Sequence, residues 1–309
     1  MKKIILLCGL IILSVAGIIA NVVAVDQVTL IKVDPTLIAK WKIPDKFINL
    51  KISSKKPFRP QLLRILPLPD DKPVVHPMLN FYQEDRRFSN LFSTSGDSML
   101  CGPTSLANIL VYLKYNHNPK YPDIFKTDEN KMKNNGDWVP FLYDICKTDK
   151  DRGTTIYNLE SCAILGVEQG GYKASNVFIR GCHSDIDKQR FAPTPEDLRA
   201  FSKASPDRGC VLLFGWYSKV KDASGNWIYQ RNGGHYVALA GYDAIRKHVF
   251  YVSNPLVDYQ QDAIMYSKIV LKELPGNVQA PDNVKWYTDD LIGGNFAILE
   301  DILVVLPKQ

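Results

Sequence analysis

Several patterns that would assign a function class are missing from this sequence. Its 5 histidines are scattered, and it has no Cys-x-x-Cys pair and no His-Glu-x-x-His motif, so nothing indicates a metal site. No glycine-rich loop of the phosphate-binding kind occurs, so a nucleotide cofactor is not indicated either. Long runs of lysine and arginine are also missing, and the formal net charge is only +6. We therefore expect no metal, no cofactor and no nucleic-acid partner.

The N-terminus has the pattern of an export signal. Two lysines precede an apolar run from Ile4 to Ala20, and Ala24 ends a suitable cleavage site. We expect residues 1–24 to be a signal peptide and the rest of the chain to be secreted or periplasmic in a bacterium. An uncleaved membrane anchor is the alternative, because the apolar stretch is about long enough to span a bilayer. Contact with a membrane is expected only in that case.

The cysteine count agrees with export. Once Cys8 is removed with the signal peptide, five cysteines remain, and an odd number in an oxidising compartment leaves one thiol unpaired. If that thiol is Cys101, the other four are disulfide candidates: Cys146, Cys162, Cys182 and Cys210. Pairing Cys146 with Cys162 and Cys182 with Cys210 is the simplest of the three possible arrangements. Five reduced cysteines are the alternative in a reducing compartment.

The remaining chain divides near residue 90. Prolines are dense in residues 25–90 and exclude long helices and central strands there, so this region is a structural prelude or a removable pro-segment. Residues 91–309 form the main domain, and 46% hydrophobic residues in the whole chain are enough for a real core. Residues 91–309 are therefore expected to hold the core, whereas residues 25–90 are expected to be one of these two alternatives.

In the main domain, helical spacing of apolar residues comes first and short β-rich runs come later. The predicted helices cover 102–115, 154–166 and a segment that opens at Thr194. The predicted strands cover 210–214, 236–240, 248–253 and parts of 297–306, with a hairpin turn at 222–226. This order indicates an α+β fold with helices packed at one side of an antiparallel sheet.

Cys101 is a candidate nucleophile because it stands at the start of a predicted helix. Free N–H groups and the helix dipole at that position are expected to lower the thiol pKa. Gly102, next to it, is expected to give a substrate carbonyl room to approach. The backbone N–H of Cys101 is a candidate for the oxyanion hole.

His235 and Asn254 are the candidate partners of this thiol. His235 follows two glycines at the mouth of an apolar strand, where an imidazole can take the thiol proton. Asn254 ends the next strand, and in an antiparallel hairpin it lies near the start of its neighbour. It can then accept the histidine N–H and orient the ring. The other four histidines have no comparable context.

These segments together resemble the bacterial C39-like branch of the papain-like cysteine peptidases. The likeness rests on Cys101-Gly-Pro-Thr-Ser-Leu-Ala, on Gly-His235-Tyr-Val with a strand ending Gly-Tyr-Asp, and on Asn254-Pro. Gly153-Thr-Thr before a helix is similar to a further element of the family, and the likeness covers about residues 91–260. It implies a papain-like fold, with the nucleophile at the N-terminus of a helix packed on the sheet. It also implies that Cys101, His235 and Asn254 fill the triad roles.

The sequence departs from these relatives in one respect. They usually place a glutamine about six residues before the cysteine, where its amide helps to form the oxyanion hole, and this chain has none there. Ser95 and Ser98 are the candidate substitutes. The loss of one such donor costs on the order of a hundredfold in rate.

The expected activity is hydrolysis of peptide or amide bonds through an acyl-thioester, with a peptide or protein as substrate. Acyl transfer to an amine, as in transglutaminase-like relatives, uses the same triad and is one alternative. A catalytically silent papain-like module that only binds is the other. Substrate preference and oligomeric state cannot be read from the sequence.

Overall fold

The described part of the chain is a mixture of helices and a large sheet. The structure, a computed structural model, describes residues 28–32, 49–53, 74–75, 81–116, 138–169, 177–183, 192–203, 209–257, 266–276, 284–291 and 296–305. The α-helices in these ranges are α1 (Cys101–Asn116), α2 (Trp138–Ile145), α3 (Ile156–Gln169) and α4 (Pro195–Lys203). A short 3-10 helix covers Arg86–Leu91. None of the helices in these ranges is long and apolar enough to span a membrane, and the predicted signal peptide lies outside them.

The strands fall into a separate pair and one large sheet. Their bounds are β1 (Val28–Lys32), β2 (Asn49–Ser53), β3 (Val74–Val75), β4 (Val177–Gly181), β5 (Gly209–Lys221), β6 (Trp227–Tyr242), β7 (Val249–Ser253), β8 (Ser267–Val270), β9 (Lys272–Glu273), β10 (Trp286–Thr288) and β11 (Phe296–Val305). The large sheet has the order β8-β7-β6-β5-β11-β10-β9, with β3 beside β6 and β4 beside β11. All its pairings are antiparallel. The predicted α+β class with an antiparallel sheet is confirmed.

The hairpin of β5 and β6 is the centre of this sheet. Its turn lies at Asp222–Asn226, as predicted, where Asp222 Oδ1 accepts from the backbone N–H groups of Ser224 and Asn226 at 2.9 and 2.8 Å. Gly225 has a φ of 82°, which glycine adopts without a steric penalty. The strands are longer than predicted, and β6 runs straight through His235 instead of beginning after it.

Helices pack on both faces of the sheet, which corrects the prediction of one side. Successive residues of a strand point to opposite faces. Leu213 and Tyr236 belong to the core that includes residues of α1, α2 and α3. Leu212 and Val237, their chain neighbours, belong to a second core that includes Leu198 of α4. Because the central strands β6, β5 and β11 carry apolar side chains on both sides, each face of the sheet has to be packed against helices.

The helix ends agree in part with the sequence patterns. The Asp197 N–H donates to Thr194 Oγ1 at 3.2 Å and the Thr194 N–H donates to Asp197 Oδ2 at 3.0 Å, a reciprocal cap that confirms the predicted start of α4. In contrast, α3 continues past Gly166, the predicted stop. The helix α2 was not predicted, although Pro140 in its first turn fits a helix start.

Part of the proline-rich region belongs to the main sheet. Val74 and Val75 pair with Tyr242 and Gly241 of β6. Farther on, the Phe81 N–H donates to Asn108 Oδ1 in α1 at 3.0 Å. Val74, Val75 and Phe81 therefore contact elements of the predicted main domain.

Candidate active site

Cys101 is the first residue of α1, at the place where the sequence predicted a nucleophile. The Thr104 N–H donates to the Leu100 carbonyl at 2.9 Å, which closes the first turn. The N–H groups at the start of an α-helix have no partner inside the helix, so they are available to a nearby sulfur or oxyanion. Cys101 as a residue is partly buried.

Gly102 has a packing role that differs from the predicted one. A Cβ at this position would lie 3.0 Å from both Cβ and Oγ1 of Thr154 and 3.5 Å from Cδ2 of Tyr236. The Tyr236 hydroxyl donates to the Thr154 carbonyl at 3.0 Å, so these two neighbours are themselves connected. The missing side chain therefore lets the first turn of α1 approach Thr154, ahead of α3, closely.

The thiol of Cys101 is neutral in the resting site. Burial raises its pKa above the ordinary value, although hydrogen bonds from the backbone N–H groups of Tyr236, Gly102 and Cys101 itself act in the opposite direction. The predicted lowering of this pKa by the helix start is thus present but is outweighed. The contact with the Tyr236 N–H also places the sulfur beside the residue that directly follows His235.

His235 and Asn254 are joined by a buried hydrogen bond. The Nε2 atom of His235 lies 2.9 Å from Oδ1 of Asn254. The Leu256 N–H donates to the same Oδ1 at 3.1 Å, which identifies that atom as the amide oxygen. Nε2 must then carry the proton, and Nδ1 is left as the basic nitrogen. The pairing of Ser253 with Ala238 brings Asn254 to this part of β6, as the hairpin argument predicted.

Burial keeps the imidazole of His235 neutral. The pKa of His235 is lowered to about 4, chiefly because burial disfavours the charged ring, and the bond to Asn254 offsets only part of this effect. The Trp216 ring, with its centroid 5.9 Å from that of His235, forms one wall of the pocket. A neutral imidazole can act as a general base over a wide pH range.

Two buried polar residues of α1 position the nucleophile against both strands. Ser105 Oγ donates to the Tyr236 carbonyl at 2.9 Å, and Asn108 Nδ2 donates to Ser253 Oγ at 2.9 Å. One bond reaches the residue after His235 and the other reaches the residue before Asn254. The sequence analysis missed these roles. The available signal was the spacing, since positions four and seven after Cys101 share its helix face.

The predicted oxyanion donors Ser95 and Ser98 are both engaged elsewhere. Ser95 lies in an exposed turn, where its hydroxyl donates to Asp97 Oδ2 at 2.7 Å. Ser98 is buried, and its hydroxyl donates to the Gln83 carbonyl at 2.8 Å. Neither hydroxyl proton is available to an oxyanion in this arrangement. The backbone N–H of Cys101, the third predicted donor, does lie beside the sulfur.

Gln83 carries a buried side-chain amide that the sequence analysis did not consider. Its Nε2 donates to the Ser98 carbonyl at 3.0 Å, and its backbone N–H donates to the carbonyl of Pro255 at 2.9 Å. It is 3% exposed, so these two bonds fix a buried amide between the approach to α1 and the residue after Asn254. Gln83 is not close to Cys101 in the sequence, because a turn and a 3-10 helix lie between the two residues. The expected position, about six residues before the cysteine, therefore did not reveal it.

The five described cysteines form no disulfide. Cys146 and Cys162 are neighbours in the helical core, where burial and a hydrogen bond between the thiols raise the pKa of Cys146. The other predicted pair is separated by the sheet. Cys210 is opposite Val304 on one edge of β11, and Cys182 follows the partner of Asp301 on the other edge. These positions are roughly 14 Å apart, twice the reach of a disulfide.

Comparison of the sequence with protein-family models and with curated proteins finds no match to either. The chemical interpretation of this site therefore rests on the residues of the site itself. The site holds a partly buried cysteine at a helix start, a neutral histidine oriented by an asparagine, and a buried glutamine amide on the approach to the helix.

Proposed function

We propose that the chain is an exported, papain-like cysteine peptidase of the C39-like kind, hydrolysing peptide or amide bonds. The observation that supports this most directly is the hydrogen bond from His235 to Asn254, in a chain whose helix-starting Cys101 contacts the N–H of the residue after His235. Export is argued from the N-terminal apolar run and the small residues after it.

In the proposed reaction, Nδ1 of His235 takes the Cys101 proton as the sulfur attacks the carbonyl carbon of the scissile bond. The C–N bond then breaks, and His235 passes the same proton to the leaving amine. A thioester remains on Cys101. Water attacks it, with His235 again accepting a proton, and the carboxylic acid leaves as the thiol is restored.

Two donors are proposed for the oxyanion that forms in both steps. One is the backbone N–H of Cys101, which lies at the unpaired end of α1. The other is the second N–H of the Gln83 amide, whose first N–H is held by the Ser98 carbonyl. An anchored amide needs no reorganisation when charge develops, and this is what makes such donors effective.

A catalytically silent binding module is the second candidate function, favoured by one observation. Burial raises the pKa of the Cys101 thiol, whereas a strongly activated cysteine has a lowered one. The two candidates differ in what His235 does for the thiol. They can be separated without knowing the substrate.

The decisive measurement is the rate of Cys101 alkylation by iodoacetamide, read by peptide mass spectrometry from pH 5 to 8. With His235 neutral above about pH 4, the wild-type rate should change little over this range. His235→Ala should label about a hundredfold more slowly at pH 6, and its rate should rise about tenfold per pH unit, as a thiol without a base does. His248→Ala, which removes a histidine outside the site, is the matched control.

The opposite result would be a wild-type rate that itself rises tenfold per pH unit and coincides with that of His235→Ala. That result would reject the peptidase and favour the binding module.

A further inference from the structure

A second polar cluster lies near Tyr236, which belongs to the core on the α1 side of the sheet. Strand β11 carries a bulge between Leu299 and Asp301, so the inserted Glu300 breaks the alternation of side chains. Glu300 and Asp301 are both buried, and their carboxylate oxygens lie within 4.8 Å of each other and of a His183 ring nitrogen. Both carboxylates help to raise the pKa of Tyr236, which contacts Cys101.

The carboxylate oxygens of this cluster are already used by protein donors. Glu300 Oε1 accepts from the Tyr217 hydroxyl at 2.7 Å and from Arg231 Nε at 2.8 Å, while Oε2 accepts from Arg231 Nη2 at 3.0 Å. Asp301 accepts from the His183 backbone N–H at 2.9 Å, and its other oxygen lies 2.6 Å from His183 Nδ1. A metal ion would have to displace these donors. The groups that face solvent are instead the arginine and the histidine.

Arg231 is held in one position but is only partly used. Its side chain is 43% exposed, and the bidentate pair with Glu300 takes two of its five N–H groups. The carboxylate of Glu300 raises the arginine pKa further, so the guanidinium stays charged. An ion pair whose acid is buried fixes the arginine side chain before any ligand arrives, which lowers the entropy cost of binding.

The guanidinium lies near Tyr236, the residue whose backbone N–H contacts the Cys101 sulfur. A Cβ at Gly234 would come within 2.7 Å of Arg231 Nη2, so the arginine passes over the residue that precedes His235. Gly234 is two residues before Tyr236, about 7 Å along the strand. This distance matches the spacing between every second side chain of an extended peptide. A side chain at Gly234 would displace the guanidinium from its present position.

We propose that Arg231 is a specificity-determining residue, selecting substrates with a carboxylate next to the bond that Cys101 attacks. The inference rests on the proposed peptidase function. The free N–H groups of a fixed guanidinium form a planar fork that suits a carboxylate and offers nothing to a cation. An acidic side chain or a C-terminal carboxylate of the substrate is the ligand of this chemistry.

The test compares two alkylating probes of equal size, the α-amides of N-iodoacetyl-glutamate and N-iodoacetyl-glutamine, on the full chain. The ratio of their labelling rates at Cys101 isolates the carboxylate. Wild type should favour the glutamate probe, and Arg231→Gln should lower the ratio about threefold to tenfold. Lys221→Gln, which removes an exposed cation near the tip of the same hairpin, should leave the ratio unchanged.

Two additions keep the test decisive. Because Arg231→Gln leaves Glu300 buried without its cation, the double variant Arg231→Gln with Glu300→Gln is measured alongside it and should give the same lowered ratio. The difference in this ratio between wild type and Arg231→Gln should also diminish in high salt, which screens the charge of the guanidinium. Equal ratios in wild type and both variants would overturn the proposal for Arg231. The absolute rate with the glutamine probe, compared between wild type and His235→Ala, separately reports on the peptidase proposal.

Discussion

Two histidines of the molecule have opposite surroundings and opposite acid–base behaviour. His235 in β6 is buried and bonded to the neutral Asn254, and its pKa is lowered to about 4. His183, just after β4, is half-exposed and bonded to the Asp301 carboxylate, and its pKa is raised, first of all by that hydrogen bond. The partner and the access of water decide the outcome. In this chain one arrangement favours the neutral ring, which suits a base, and the other favours the charged ring.

The largest effect that this comparison predicts is on stability in acid. The folded-state pKa of His235, about 4, lies below the ordinary 6.5, so the unfolded chain binds more protons between these values. Stability should therefore fall by about 3 kcal/mol as the pH drops from 6.5 to 4. Denaturant unfolding at several pH values should show this slope in wild type, and His235→Gln should lose most of it. An unchanged slope in the variant would mean that other groups cause the acid sensitivity.

A single substitution should make the first histidine behave more like the second. In Asn254→Asp, a carboxylate would replace the amide oxygen that accepts from His235 Nε2. The charge favours the imidazolium, so the pKa of His235 should rise by about 1–2 units from its low value. Titration of the ring signals by NMR measures this directly, and His183 in the same spectra is the internal control. A pKa that stays near 4 would show that burial alone governs the site.

Much of the candidate site follows from local sequence, because its key positions are set by neighbours along the chain. The helix start at Cys101 and the turn at Asp222 depend on residues within one turn of themselves. The proximity of Asn254 to His235 follows from two consecutive antiparallel strands. Predictions of this kind need only the periodicity of the apolar residues and the residue types at the ends of helices and strands.

The features that the sequence did not reveal depend on contacts between distant segments. The sequence indicates only open backbone at Gly234. In the fold the Arg231 guanidinium lies above this glycine, held by a glutamate on another strand. The sequence around Ser105 indicates only a helix, and the hydrogen bond from Ser105 to β6 depends on the fold. The bulge at Glu300 leaves no mark in the alternation of a strand that is apolar on both sides. No local pattern contains such information.

The smallest predicted effect is on the alkaline side, and it completes the comparison. The folded-state pKa of His183 is raised above 6.5, so the bond to Asp301 contributes fully below pH 6.5 and is lost as the pH rises through the raised value. Charged groups facing this ring include Glu300 and Arg231, which act in opposite directions. Since the ring is half-exposed, water screens the pair and the change should stay below about 1 kcal/mol. His183→Gln should flatten the stability profile above pH 6.5 and leave the acid slope of His235 intact. If the variant instead changed the acid slope, the two histidines would be coupled, and the cluster at Glu300 would have to be treated as part of the same titrating unit as the candidate active site.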